Sequence, residues 1–90
     1  MNALLNPCAV YCSPEAFRRV GPDPLDLCVE LHRRLDWGHA DDRICADNDD
    51  HLTREAGEVI SLFHTARGHR VTVTSDLDRQ LTLVRLVDEA

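Results

Sequence analysis

The sequence predicts an α+β fold: two or three N-terminal helices packed on one face of a three- or four-stranded antiparallel β meander. Three observations lead there. Helix-start signals, a capping residue followed by proline, fall in the first third of the chain at Ser13-Pro14 and Asp23-Pro24. Apolar residues in the first half recur at three- and four-residue spacing. After Gly57 the pattern switches to β-branched runs joined by short polar turns. Ninety residues make a single domain, 1–90, with one modest core.

Cys8 to Cys12 reads as a short strand. Ser13 then caps a short first helix, with Pro14 at its first position and Glu15 at the positive end of the dipole. This helix stops near Val20-Gly21. A second start follows, with Asp23 as cap, Pro24 as first helical residue and Asp26 three beyond the cap. Leu25, Cys28, Leu31, His32 and Leu35 form its inward stripe, widened by Leu27, and Gly38 is the expected stop. A third helix is expected from about Asp41 to Ala56, ended by Gly57, with Ile44, Cys45, Asn48, Leu52 and Ala56 facing inward. The strands are Val59–His64, Arg70–Thr74 and Leu81–Val87.

Composition narrows the function classes. Hydrophobic residues at 43% and charged residues at 29% argue against pure disorder. Every one of the 10 basic residues is Arg, and 16 acidic residues leave a formal net charge of −6. No basic stripe is present to displace phosphate counterions, so direct nucleic-acid binding is not expected. The charge is compatible with a basic protein partner, or with mimicry of a nucleic acid. The stretch Met1–Val10 lacks the basic start and long apolar run of a signal peptide, and no apolar run could span a bilayer. The expectation is a cytoplasmic protein with no membrane contact and reduced cysteines at positions 8, 12, 28 and 45.

No constellation of residues announces catalysis. Cys8 and Cys12 have a tolerable ligand spacing, but no second pair completes a zinc site. Cys28 and Cys45 read as small core residues on helix stripes, and His32 as a packed, hydrogen-bonded histidine. The other histidines lack the spacing of a metal motif or a triad. Asp47-Asn48-Asp49 lacks the central Gly and terminal Glu of an EF-hand loop. The four glycines stand singly, so no phosphate loop exists. No cofactor and no metal are expected, and the chain is not expected to be an enzyme.

The densest feature is acidic: Asp36, Asp41, Asp42, Asp47, Asp49 and Asp50 lie within fifteen residues. Part of it has an ordinary structural reading. Arg43–Asp47 and Asp50–Arg54 are spaced as helical ion pairs, and Asp41 is a cap. Asp36, Asp42 and Asp49 remain as the first choices for a docking face, with Asp47 and Asp50 contributing if their arginines swing aside, and Glu55 and Glu58 as outliers. Trp37 stands beside this face, either as an anchor into the core or as an interface residue.

Asp36-Trp37-Gly38, Asp42, Asn48, Leu52, Ile60-Ser61, Val73-Thr74 and Asp78-Arg79-x-x-Thr82 resemble a pattern in a family of small proteins carried on plasmids and other mobile elements of proteobacteria. The resemblance runs from about Ser13 onward. It departs from the pattern in a longer turn before Asp78, a displaced aromatic near Phe63-His64, and an ending without the usual Pro and Tyr. Such proteins are sometimes labelled restriction-system subunits, yet a methyltransferase needs a far larger cofactor-binding domain. In size, charge and lack of catalytic signature the chain is similar to anti-CRISPR proteins. The resemblance implies a mobile-element accessory protein of no known chemistry. With the setting, size and charge, the leading expectation is a non-enzymatic inhibitor of a bacterial defence system, an anti-CRISPR protein that binds an RNA-guided surveillance complex through an acidic face and blocks target DNA binding. The alternative is a small interaction module of the mobile element, serving replication, transfer or anti-restriction.

Overall fold

The structure, a computed structural model, describes residues 9–88. The elements run β1 (Val10–Cys12), α1 (Pro14–Val20), α2 (Pro22–Arg33), α3 (Asp42–Arg54), β2 (Glu58–His64), β3 (Arg70–Asp76) and β4 (Leu81–Leu86). The predicted α+β class and the meander are present. β2, β3 and β4 pair antiparallel in sequence order. The fourth strand, β1, joins β4 in parallel, so the sheet is mixed with order β1-β4-β3-β2. Cys8, placed in the first strand by the sequence, lies outside the described residues.

Period-two alternation decides which face of the sheet is buried. Val59, Ser61 and Phe63 of β2, Val71, Val73 and Ser75 of β3, and Thr82, Val84 and Leu86 of β4 all point to the helix side. Ala16 of α1 and Leu25 and Cys28 of α2 meet them there, with Val20, Val29 and Leu31 packed around the rim. Full burial of a Val or Leu side chain contributes about 1.5–3 kcal/mol, so this layer carries most of the stability. On the other face Ile60, Leu62, Thr72, Thr74, Leu81 and Leu83 stay half-buried.

Local signals explain the helix ends. Ser13 Oγ accepts from Ala16 N–H at 3.1 Å, and Glu15 pairs with both Arg18 and Arg19. Asp41 caps α3 by accepting from Ile44 N–H at 2.9 Å. Two expectations need correction. α2 starts at Pro22, not Pro24, and its N-cap is Gly21, which offers no side-chain bond; Asp23 lies inside the first turn. α2 also ends at Arg33, well before Gly38. There Leu35 takes the left-handed position at φ 65°, with Leu35 N–H bonded to His32 O and Asp36 N–H to Leu31 O. This is a Schellman close with leucine where glycine is the usual choice.

The same close ends α3. The helix stops at Arg54 rather than Ala56, with Glu55 at φ 55° and Ala56 N–H bonded to His51 O. A left-handed conformation disfavours any residue with a Cβ by about 1–2 kcal/mol, partly offset by glycine's larger entropy loss on folding. Glu55 is exposed. Glu55→Gly is therefore expected to raise stability by about 0.5–1 kcal/mol in urea unfolding. A loss of stability would show that the Glu55 side chain supports the helix end.

Candidate functional site

The candidate acidic face lies along the outer edge of β2. Residues 36–58 hold eight acidic residues against two arginines, while the rest of the chain holds eight of each. The whole formal charge of −6 therefore resides in this one segment. It forms the loop after α2, all of α3, and the start of β2.

α3 can be so acidic because only a narrow stripe of it is covered. Asn48 is buried, and Ile44, Cys45, His51 and Leu52 are half-buried. Asp42, Arg43, Ala46, Asp47, Asp49, Asp50, Thr53 and Arg54 are exposed. These fall on two ridges. One carries Asp42, Ala46, Asp49 and Thr53 and has no positive charge. The other carries Arg43, Asp47, Asp50 and Arg54. Asp50 and Arg54 pair at 3.2 Å, but the expected Arg43–Asp47 pair does not form. Asp47 is thus as open as Asp42 and Asp49.

The remaining predicted residues are spread around this ridge. Asp36 is exposed, and one of its carboxylate oxygens accepts from Gly38 N–H at 2.9 Å, shaping the turn. Trp37 is half-buried and stands edge-on to His32, with ring centroids 5.7 Å apart. It acts as an anchor for the loop. Glu55 and Glu58 are exposed at the end of α3 and the start of β2.

What holds this face in place is a sealed strand edge. The outward N–H and C=O groups of β2 would otherwise invite another strand. Here they are taken in turn. His51 Nδ1 bonds Glu58 O at 2.5 Å. The Asn48 side chain donates to Ile60 O at 2.7 Å and accepts from Ile60 N–H at 2.9 Å, as a neighbouring strand would. Leu62 N–H bonds Trp37 O at 3.1 Å, and His39 N–H bonds Leu62 O at 2.6 Å. Gly38 sits at the crossing with φ 62°, where an added Cβ would lie 2.2 Å from Leu62 O. His39 then stacks on His64 with centroids 4.1 Å apart.

A buried polar chain lies beneath the loop: His32 is packed and hydrogen-bonded as expected, while its linkage to Ser61, Ser75 and Thr82 is not foreseen from the sequence. His32 is fully buried, with Nδ1 2.5 Å from Ser61 Oγ and Nε2 2.9 Å from Ser75 Oγ. Ser75 Oγ is 2.6 Å from Thr82 Oγ1, and Ser61 Oγ donates to Asp36 O at 3.4 Å. One proton arrangement satisfies every group. Thr82 donates to Ser75, Ser75 to His32 Nε2, His32 Nδ1–H to Ser61, and Ser61 to the Asp36 carbonyl. The ring is then neutral, and burial lowers its pKa from 6.5 to about 4. With no exposed surface, this His–Ser pair cannot meet a substrate.

Other chemistry finds little support. Cys28 is buried, and burial pushes its thiol pKa up, away from reactivity. Cys45 is half-buried with its thiol directed to Ala40 O at 3.6 Å. Asn48 is committed to β2, so Asp47-Asn48-Asp49 does not present three ligands to a cation. Among the described residues no cluster of three or more His, Cys, Asp or Glu has a metal-binding arrangement. No helix among them is long and apolar enough to cross a membrane. No family model, curated protein or solved structure matches the chain.

Proposed function

We propose that this protein is a non-enzymatic inhibitor that docks its acidic flank on a basic, nucleic-acid-handling surface of a bacterial defence complex. The observation that carries the proposal is charge segregation: an overall balanced body with a charge of −6 confined to one segment. The Asp42–Asp49 ridge projects from a scaffold fixed by the sealed β2 edge. A cleft lined with Lys and Arg to receive DNA offers matching chemistry, and long-range attraction to it raises the association rate. An RNA-guided surveillance complex is the target this reading favours, with occlusion of its DNA channel as the mode of action.

The test separates the ridge from net charge. Asp42→Lys with Asp49→Lys changes charge by as much as Asp23→Lys with Asp26→Lys, which are exposed on α2. In calorimetric titration against a guide-loaded surveillance complex, the α3 variant is expected to bind at least about tenfold more weakly and the α2 variant nearly as wild type. Equal losses would assign the effect to net charge. Absence of wild-type binding, or an unaffected α3 variant, would overturn the proposal.

A further inference from the structure

We propose that residues 39–56, the turn before α3 and α3 itself, form a strap that opens from the β2 edge as one unit while the rest of the fold stays intact. The strap is a property of the fold and does not depend on the identity of any target.

The strap lies outside the core. The buried apolar cluster draws on α1, α2, β3, β4 and Phe63 of β2, and takes no residue from 39–56. Within α3 only Asn48 is buried, and it is polar. Ile44, Cys45 and Leu52 are half-buried. β2 is the only element that α3 packs against extensively. A segment with so few buried apolar contacts opens at a lower free energy than the core beside it.

Its attachments are mostly hydrogen bonds to one strand edge. His39 N–H bonds Leu62 O, Asn48 bonds both backbone groups of Ile60, and His51 bonds Glu58 O. Water replaces each of these once the strap lifts, so opening loses only their modest net contribution. Charge also opposes closure. The strap holds six acidic residues against two arginines, and it closes beside Glu58.

Both ends are built to stay behind. Trp37 stands edge-on to the buried His32, and Asp36 O accepts from Ser61 Oγ. At the far end Gly57 O accepts from Leu77 N–H at 2.9 Å, and Gly57 N–H donates to Asp78 Oδ2 at 3.2 Å. A glycine stands at each junction, Gly38 at φ 62° and Gly57 at φ 93°, and its backbone freedom suits a hinge. Opening uncovers the outward groups of Glu58 and Ile60 and takes the acidic ridge off its fixed scaffold. One motion therefore governs both the strand edge and the ridge.

Native-state hydrogen exchange, followed by NMR at increasing urea, tests this within a single strand. Neighbouring amides of β2 point in opposite directions and report on different events. Ile60 N–H bonds Asn48 and reports the strap, whereas the N–H groups of Val59, Ser61 and Phe63 point to β3 and report the sheet. Ile60 and the helix amides of residues 45–52 are expected to show protection at least about tenfold below that of Val59, Ser61 and Phe63. They are also expected to share one weaker dependence on urea. Val73→Ala weakens the core cluster outside the strap. It is expected to lower sheet protection about tenfold and to leave Ile60 and α3 nearly unchanged. The wild-type profile decides alone should Val73→Ala fail to fold. A single urea dependence for all these amides overturns the proposal. So does an Ile60 amide that exchanges with the sheet, α3 amides that exchange one by one without urea dependence, or a folded Val73→Ala in which all protection falls together.

Discussion

Between pH 6.5 and pH 4 this protein is expected to lose about 3 kcal/mol of stability through one side chain, His32. The folded ring titrates near 4, while the unfolded ring titrates near the ordinary 6.5. Below 6.5 the unfolded chain gains a proton that the folded chain refuses, so stability falls with pH and levels off below 4. The hydrogen-bond chain shows why the folded ring refuses it. A second proton, on Nε2, would force Ser75 to donate toward Thr82 and leave the Thr82 hydroxyl without its acceptor. No carboxylate stands among its hydrogen-bond partners to compensate the new charge.

Urea unfolding at a series of pH values checks this against a variant in which the whole chain is apolar: His32→Leu, Ser61→Ala, Ser75→Ala and Thr82→Val. Removing all four side chains together leaves none of them orphaned; only the Asp36 carbonyl loses its Ser61 donor, a loss that does not depend on pH. The variant is expected to retain the acid sensitivity of the exposed groups and to lose the His32 component. Parallel pH profiles for the two proteins would remove His32 from the explanation.

Asn48→Ala is expected to destabilise the fold by about 3 kcal/mol, a large effect for one polar residue. Two hydrogen bonds disappear, each with a net contribution of about 1 kcal/mol, and both backbone groups of Ile60 lose their partner at a covered edge. Asn48→Asp sharpens the result. The carboxylate keeps an acceptor for Ile60 N–H but turns oxygen toward Ile60 O. It is expected to be at least as destabilising as alanine at pH 7. A near-neutral Asn48→Asp would mean that the bond to Ile60 O contributes nothing. Loss of Asn48 also reopens the β2 edge, so Asn48→Ala is expected to aggregate more readily on heating.

Much of this fold is legible in the sequence, because the relevant physics is local. Ser13 and Asp41 mark helix starts by accepting from orphan N–H groups, Pro14 by lacking the N–H that would be orphaned there, and alternation from Val59 onward marks the meander. Errors arise where two local solutions compete. Pro22 and Pro24 can each open α2, and the earlier one does. Gly38 suits a helix stop, yet Leu35 ends α2 in its place and leaves Gly38 for the crossing at Leu62. β1 is misjudged in direction because three exposed residues carry no pattern that distinguishes parallel from antiparallel pairing.

The candidate site is less legible. Ser61, Ser75 and Thr82 fall at inward positions and His32 on an inward stripe, so the presence of buried polar groups is implied by alternation alone. Their convergence depends on strand order, which brings β2, β3 and β4 under one turn of α2. Asn48 likewise reads as inward, but its partner is a backbone rather than a side chain and leaves no mark in the sequence. The Arg43–Asp47 pair shows the opposite failure: helical spacing permits it, and the side chains do not take it up. Asp47 therefore joins Asp42 and Asp49 as an open charge.

The confinement of the net charge to residues 36–58 gives the molecule a direction as well as a sign. A body balanced elsewhere, with its excess on one flank, carries a large electric dipole. In the field of a positively charged surface it experiences a torque before any atoms touch. It would arrive already turned, with α3 leading, so fewer encounters would be wasted on the wrong face.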